Sequence, residues 1–179
     1  MATVAMPSVD ALRDKFPEPA KDIKVNLGSL ASSEIFDAEQ IWGVALASAY
    51  YLGEPSLSRA LLNDAKAAGA SEALLEDAQA AATLMGMNTV YFRFRHLVHK
   101  EVYAQKPARL RMQWMARPKT SKALFELMSL AIAALAGCEA CVKAHEASVQ
   151  QHGLGEDHVH EAARVASILY GAKVALQLP

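Results

Sequence analysis

Residues Lys122 to His152 read KALFELMSLAIAALAGCEACVKAHEASVQQH, and the fold class can be read from them. Up to Ala136 it is almost wholly apolar, and from Glu139 onward apolar residues return at helical spacing. Neither half shows the strict alternation of a strand, so both read as helices: Lys122 to Ala136, a break at Gly137, then Glu139 to His152 with a stop at Gly153.

The same periodicity extends in both directions. Asp37 followed by Gln40 is a helix start, with Gly53 after the end. Further helices are expected over Pro55–Ala68, from after Ser71 to about Met85, over Asn88–His99, from Pro107 through Ala116, and from Asp157 to about Gln177. The leading 30 residues hold several prolines and read as irregular. The expected architecture is all-α, a single-domain helical bundle over residues 1–179. Leu84-Met85-Gly86 before one helix echoes Leu135-Ala136-Gly137 before another, about 51 residues apart. That echo suggests an internal duplication of helical hairpins.

With 53% apolar and 21% charged residues the chain is globular rather than fibrous or disordered. A net charge of −1 singles out no partner. The start carries no secretory pattern, and the longest apolar run, Leu127 to Cys138, is too short to span a bilayer. A soluble, cytoplasmic protein is expected, and there a close cysteine pair suits catalysis or metal binding better than stapling. Charge is unevenly spread: Arg93, Arg95, Lys100, Lys106, Arg109, Arg111, Arg117, Lys119 and Lys122 face one acid, Glu101, within the same span. Either these lie on solvated helix faces balanced by acids elsewhere, or they form a docking surface for an acidic protein. Nucleic acid fits less well, for want of a binding motif or overall basic excess.

Both cysteines of the chain, Cys138 and Cys141, stand three apart, with His145 four residues further on. At 100° per residue, Cys138, Cys141, His145, Ser148 and His152 share one stripe of the helix. The expectation is two thiols presented together on one exposed ridge beside an imidazole. A helix N-terminus favours the thiolate. At a pKa of ~8.5 about 3% is ionised at pH 7; a drop of about two units, ~2.7 kcal/mol, makes that about three quarters. In the preceding helix Glu126 is the one charge between Ala123 and Gly137. If the helices fold back at Gly137, Glu126 (~16 Å from the break) and His145 (~12 Å) are nearly level. Glu126 would then orient His145, and His145 would manage the proton of Cys141.

Plainer readings stand beside this one. The cysteines fit a buried, inert pair, or a zinc site of Cys138, Cys141 and His145 with His152, a carboxylate or water as the fourth ligand. His145 alone suits a structural histidine, and Glu126 a cap or the partner of a surface lysine. His96, His99, His158 and His160 follow no pattern; Trp42, Trp114 and the methionines read as core or interface.

Glu126-x11-Cys138-x2-Cys141-x3-His145 resembles the active-site signature of the alkyl hydroperoxidase D (AhpD) family, in the carboxymuconolactone decarboxylase-like superfamily. The likeness continues through Ala20-Lys21-Asp22-Ile23-Lys24 with Asn26-Leu27, Met85-Gly86-Met87-Asn88, Leu110-Arg111-Met112 and Phe125-Glu126-Leu127, and so covers nearly the whole chain. It implies an all-helical homotrimer that reduces alkyl hydroperoxides and regenerates a partner peroxiredoxin, AhpC. No cofactor is bound; the electron donor is the dihydrolipoamide of a lipoylated acyltransferase or carrier protein. Carried over, Cys141 is the peroxidatic thiol, Cys138 resolves it as a disulfide, and Glu126 and His145 form the relay. Some family members have a histidine just before the second cysteine where this chain has Ala140. The resemblance thus expects an antioxidant thiol oxidoreductase; the alternatives are a helical zinc-binding or protein-interaction module, and a lactone decarboxylase that would need no dithiol.

Overall fold

A computed structural model describes residues 1–178 and is all-α save for one antiparallel pair of two-residue strands. These are β1 (Ala2–Thr3) and β2 (Ser32–Ser33), with Ala2 opposite Ser33 and Thr3 opposite Ser32. The helices are α1 (Pro7–Arg13), α2 (Lys21–Gly28), α3 (Ala38–Leu52), α4 (Pro55–Ala67), α5 (Glu72–Leu97), α6 (Glu101–Ala104), α7 (Gln113–Ala116), α8 (Lys122–Leu135), α9 (Glu139–Gln151) and α10 (Glu156–Leu176).

Local chemistry explains where the long helices start. Asp37 and Gln40 form the expected capping box: Gln40 N–H donates to Asp37 Oδ1 at 2.8 Å and Asp37 N–H to Gln40 Oε1 at 3.0 Å. Ser71 and Ser121 cap α5 and α8 by accepting from Leu74 and Leu124 N–H. Pro55 occupies the first turn of α4, where its missing N–H removes nothing. Residues Leu124 to Ala133 of α8 are all buried, and α3, α5, α9 and α10 pack around them. Phe125, Leu127, Met128 and Ile132 are fully enclosed at this centre. Trp42 joins the core, whereas Trp114 is partly exposed.

Three expectations need correction. The helices placed on either side of Gly86 are one helix of 26 residues, α5. A glycine costs about 1 kcal/mol inside a helix, and burial of Ala81, Ala82, Met85, Asn88 and Thr89 on both sides outweighs it. Gly86 therefore makes no hairpin to match the one at Gly137. The first 30 residues are not irregular: prolines 7, 17 and 19 punctuate α1, a 3-10 turn at Glu18–Ala20, and α2. Asp64 of α4 accepts from Ser8 and Val9 N–H at 2.9 Å each, satisfying the start of α1 from 55 residues away. Lastly, the helix expected over 107–116 shrinks to the single turn of α7.

The segment containing α7 is a strap laid across α5 and tied chiefly by one buried carboxylate. Asp77, fully buried, accepts from Trp114 Nε1–H (2.7 Å), Lys119 N–H (3.0 Å), Thr120 N–H (2.7 Å) and the Thr120 hydroxyl (2.6 Å). Burial pushes the Asp77 carboxyl up, but these four donors outweigh it and hold the group below its usual value.

Candidate active site

The α8–α9 turn places the first cysteine by backbone chemistry alone. Gly137 takes φ +62°, its N–H donates to Ala134 O, and Cys138 N–H donates to Ala133 O. These are the two bonds of a Schellman motif, which returns the chain in a left-handed residue that glycine alone adopts without strain. Arg93 of α5 donates to Ala136 O at 2.5 Å, so a cation sits on the carbonyl end of α8. Cys138 follows as the N-cap of α9, its Sγ accepting from Cys141 N–H at 3.4 Å.

Cys138 and Cys141 are joined as a disulfide, their Cα atoms 5.2 Å apart. Contrary to an exposed ridge, Cys138 is fully buried and Cys141 only 5% exposed. The stripe of α9 they share is the one packed against α8 and α5, so helical register brings them inward, together.

The antiparallel return also meets its expectation. His145 Nδ1 lies 2.6 Å from Glu126 Oε2, with both side chains buried. The other carboxylate oxygen, Oε1, receives Lys122 Nζ at 2.5 Å, and Lys122 also donates to Met115 O at 2.6 Å. Burial pushes the Glu126 carboxyl up, yet the hydrogen bonds and charges of His145 and Lys122 outweigh it and hold the group below the usual carboxylate range. An ionised carboxylate only accepts, so Nδ1 of His145 carries the proton. Nε2 is then the nitrogen free to take or give one.

A cavity of about 270 Å³ opens onto this cluster. Asn88 and Phe92 of α5, Met112 and Met115 of the strap, and Ala140 and Ala144 of α9 surround Cys141 and His145. Cys141, not Cys138, is the sulfur on the cavity wall. A larger hollow of about 560 Å³ beside Thr3, Trp42 and Gly69 holds neither thiol nor imidazole.

All four anticipated residues, Glu126, Cys138, Cys141 and His145, thus converge. Ser148 and His152 share their stripe but not their site: exposed His152 Nδ1 turns back on Ser148 O at 2.7 Å. Sequence reasoning missed Lys122 as a member, although its i,i+4 spacing to Glu126 is a signal; Glu126 contacts both His145 and this lysine. It also assigned Asn88 no role. The basic span is partly consumed within the fold: Arg93 and Arg95 donate to backbone carbonyls, Lys119 pairs with Glu76 and Lys122 with Glu126. Lys100, Lys106, Arg109, Arg111 and Arg117 remain exposed, as does His96, 3.2 Å from Glu139. Among the described residues no three metal-ligating side chains converge as a cation site requires.

Residues 102–178 match the carboxymuconolactone decarboxylase family. Across the chain, a protein of Anaeromyxobacter sp. (strain K) named alkyl hydroperoxide reductase AhpD is 49% identical over 173 residues, spanning 97% of this chain and 92% of that one. Proteins of the same name from Maricaulis maris (strain MCS10) and Methylobacterium sp. (strain 4-46) are 46% and 42% identical. They cover 89% and 95% of this chain, and 92% and 96% of their own lengths.

Proposed function

This chain belongs to the AhpD family, within the carboxymuconolactone decarboxylase family, and from that membership we propose that it is a thiol-dependent alkyl hydroperoxide reductase. The observation that carries the proposal is a Cys138–Cys141 pair beside a buried His145–Glu126 couple, with Cys141 on the cavity wall.

In the dithiol state His145 Nε2 takes the proton of Cys141, and Glu126 stabilises the resulting imidazolium. The thiolate attacks the terminal oxygen of R–O–O–H. The O–O bond breaks as the S–O bond forms, giving Cys141 sulfenic acid and an alkoxide that leaves as ROH with the imidazolium proton. Cys138 sulfur then displaces hydroxide from the sulfenic acid, releasing water and closing the disulfide. Two electrons pass from the dithiol to the peroxide in all.

The reverse step runs by thiol exchange. A dihydrolipoamide thiolate attacks Cys141 Sγ, the accessible sulfur, and Cys138 leaves as a thiolate stabilised at the start of α9. The donor's second thiol then releases Cys141 and closes the lipoyl ring. On this reading the electrons come from a lipoylated acyltransferase or carrier in the cytoplasm, and the reduced protein regenerates the peroxiredoxin AhpC. Exposed Lys100, Lys106, Arg109, Arg111 and Arg117 support docking of an acidic carrier. Turnover with the carrier should then fall as salt rises, and an unchanged rate counts against that docking. Assembly is proposed as a homotrimer, supported by the apolar stripe Val90, Phe94 and Leu97, exposed along the end of α5.

Mass spectrometry after one equivalent of organic hydroperoxide tests the cycle. A Cys138–Cys141 bridge that forms from the dithiol and reopens with dihydrolipoamide is expected, with Cys141→Ser inert. Thiols left unchanged by the peroxide would refute it.

A further inference from the structure

Asn88 is the polar group on the cavity wall that the cycle above does not use. It projects from α5 one helical turn before Phe92, onto the cavity that Cys141 and His145 line. The residue is 4% exposed, and its Oδ1 is enclosed with no hydrogen-bond partner. Native interiors rarely leave a carboxamide unpaired, because its desolvation is not recovered. Of the other polar groups on the cavity wall and next to it, Glu126, His145 and the Thr89 hydroxyl have partners, whereas the buried Ser129 hydroxyl, behind the wall on α8, has none. The rest of the wall, Phe92, Met112, Met115, Ala140 and Ala144, is apolar.

Resting on the reading of this site as a hydroperoxide reductase, we propose that Asn88 anchors the hydroperoxide and selects compact alkyl or aryl hydroperoxides. A carboxamide offers one acceptor and two donors on a single rigid plane. A hydroperoxyl group needs both: its O–H requires an acceptor, and its inner oxygen gains negative charge as the O–O bond breaks. With its carboxamide turned about the terminal torsion to face the cavity, Asn88 accepts the O–H through Oδ1, which directs the terminal oxygen toward Cys141. Its Nδ2–H donates to the inner oxygen while the charge develops, before His145 delivers the proton. The apolar wall takes the organic group. A cavity near the small end of the ligand range of about 300–1,000 Å³ favours a compact one. The lipoyl thiols of the reductive step make only weak hydrogen bonds, so Asn88 contributes to one half-reaction and not to the other.

That asymmetry is the test. Asn88→Leu keeps the branched skeleton, with somewhat greater bulk, and removes the polar group; Asn88→Ser and Asn88→Ala, differing by one hydroxyl, ask the same question should the leucine variant fail to fold. For reduced Asn88→Leu protein mixed with cumene hydroperoxide, the second-order rate of disulfide formation should fall about 10- to 100-fold. Two other rates, alkylation of Cys141 by iodoacetamide and reopening of the disulfide by dihydrolipoamide, should stay within about twofold of wild type. Removing an unpaired buried carboxamide should also raise the melting temperature, by about 3–6 °C. Asn88→Ser should react faster with the hydroperoxide than Asn88→Ala. The inference is overturned if oxidation keeps its wild-type rate, or if alkylation falls in proportion to it, since Asn88 would then merely shape the thiol. Wild-type protein that alkylates normally yet ignores the hydroperoxide removes the premise itself, an outcome readable without any variant.

Discussion

Replacing Glu126 by Gln keeps the side chain's shape and removes the charge that both His145 and Lys122 use. Removing one partner of a buried ion pair costs about 3–5 kcal/mol when the other charge stays buried. The Lys122 side chain is 31% exposed and keeps its bond to Met115 O, so a cost of about 1–3 kcal/mol is expected. For a domain of this size that lowers the melting temperature by about 3–10 °C. The effect on rate comes through His145. A hydrogen bond to a charged partner is worth about 1.5–3 kcal/mol against about 1 for a neutral pair. E126Q should therefore lose about 1–2 kcal/mol of imidazolium stabilisation, or roughly 5- to 30-fold in peroxide-dependent disulfide formation.

The pH dependence carries the sign. The folded Glu126 carboxyl lies below its ordinary value of 4.5, so its contribution to stability is complete above that pH and drains away as pH falls below it. The stability gap between wild type and E126Q should hold from pH 8 to about pH 5 and close in more acid solution. Thermal melts across that range, with rapid-quench thiol titration at pH 7, measure both effects. An E126Q protein that oxidises at the wild-type rate would refute the relay. A gap that ignores acid would refute an ionised Glu126.

Other perturbations probe the scaffold. Asp77→Asn places amide protons against the donors of the strap and should cost about 2–3 kcal/mol, read as a lower melting temperature and faster proteolysis between Gln105 and Thr120. Gly137→Ala puts a side chain on φ +62°, where no neighbour obstructs it, so the cost is backbone strain of about 1–2 kcal/mol, measurable in urea melts. Phe94→Asp, in the exposed stripe of α5, should shift the sedimentation profile from trimer to monomer without changing the monomer's helical circular dichroism. Sedimentation of the wild-type chain as a monomer would remove the assembly proposal.

Features set by neighbours along the chain were legible without any structure. The capping box at Asp37 and the break at Gly137 follow from helical period, caps and a glycine in a left-handed turn, and the level approach of Glu126 and His145 follows from the same period once the two helices fold back on each other. These effects act within a few residues, or along two helices joined by one short turn. Lys122 belonged to the same legible class, since a residue four before Glu126 on a helix is its neighbour. Only tertiary structure decided the rest. Asp64 satisfies the start of α1 and Asp77 ties down the strap through bonds spanning more than 35 residues, and no local pattern announces such partners. Gly86 remains inside a helix because packing on both sides outweighs its cost. The disulfide faces inward, and Asn88 lines the cavity beside it, because α5 and the strap close over α9. Burial is a property of which surfaces meet, and that is set by the whole chain at once.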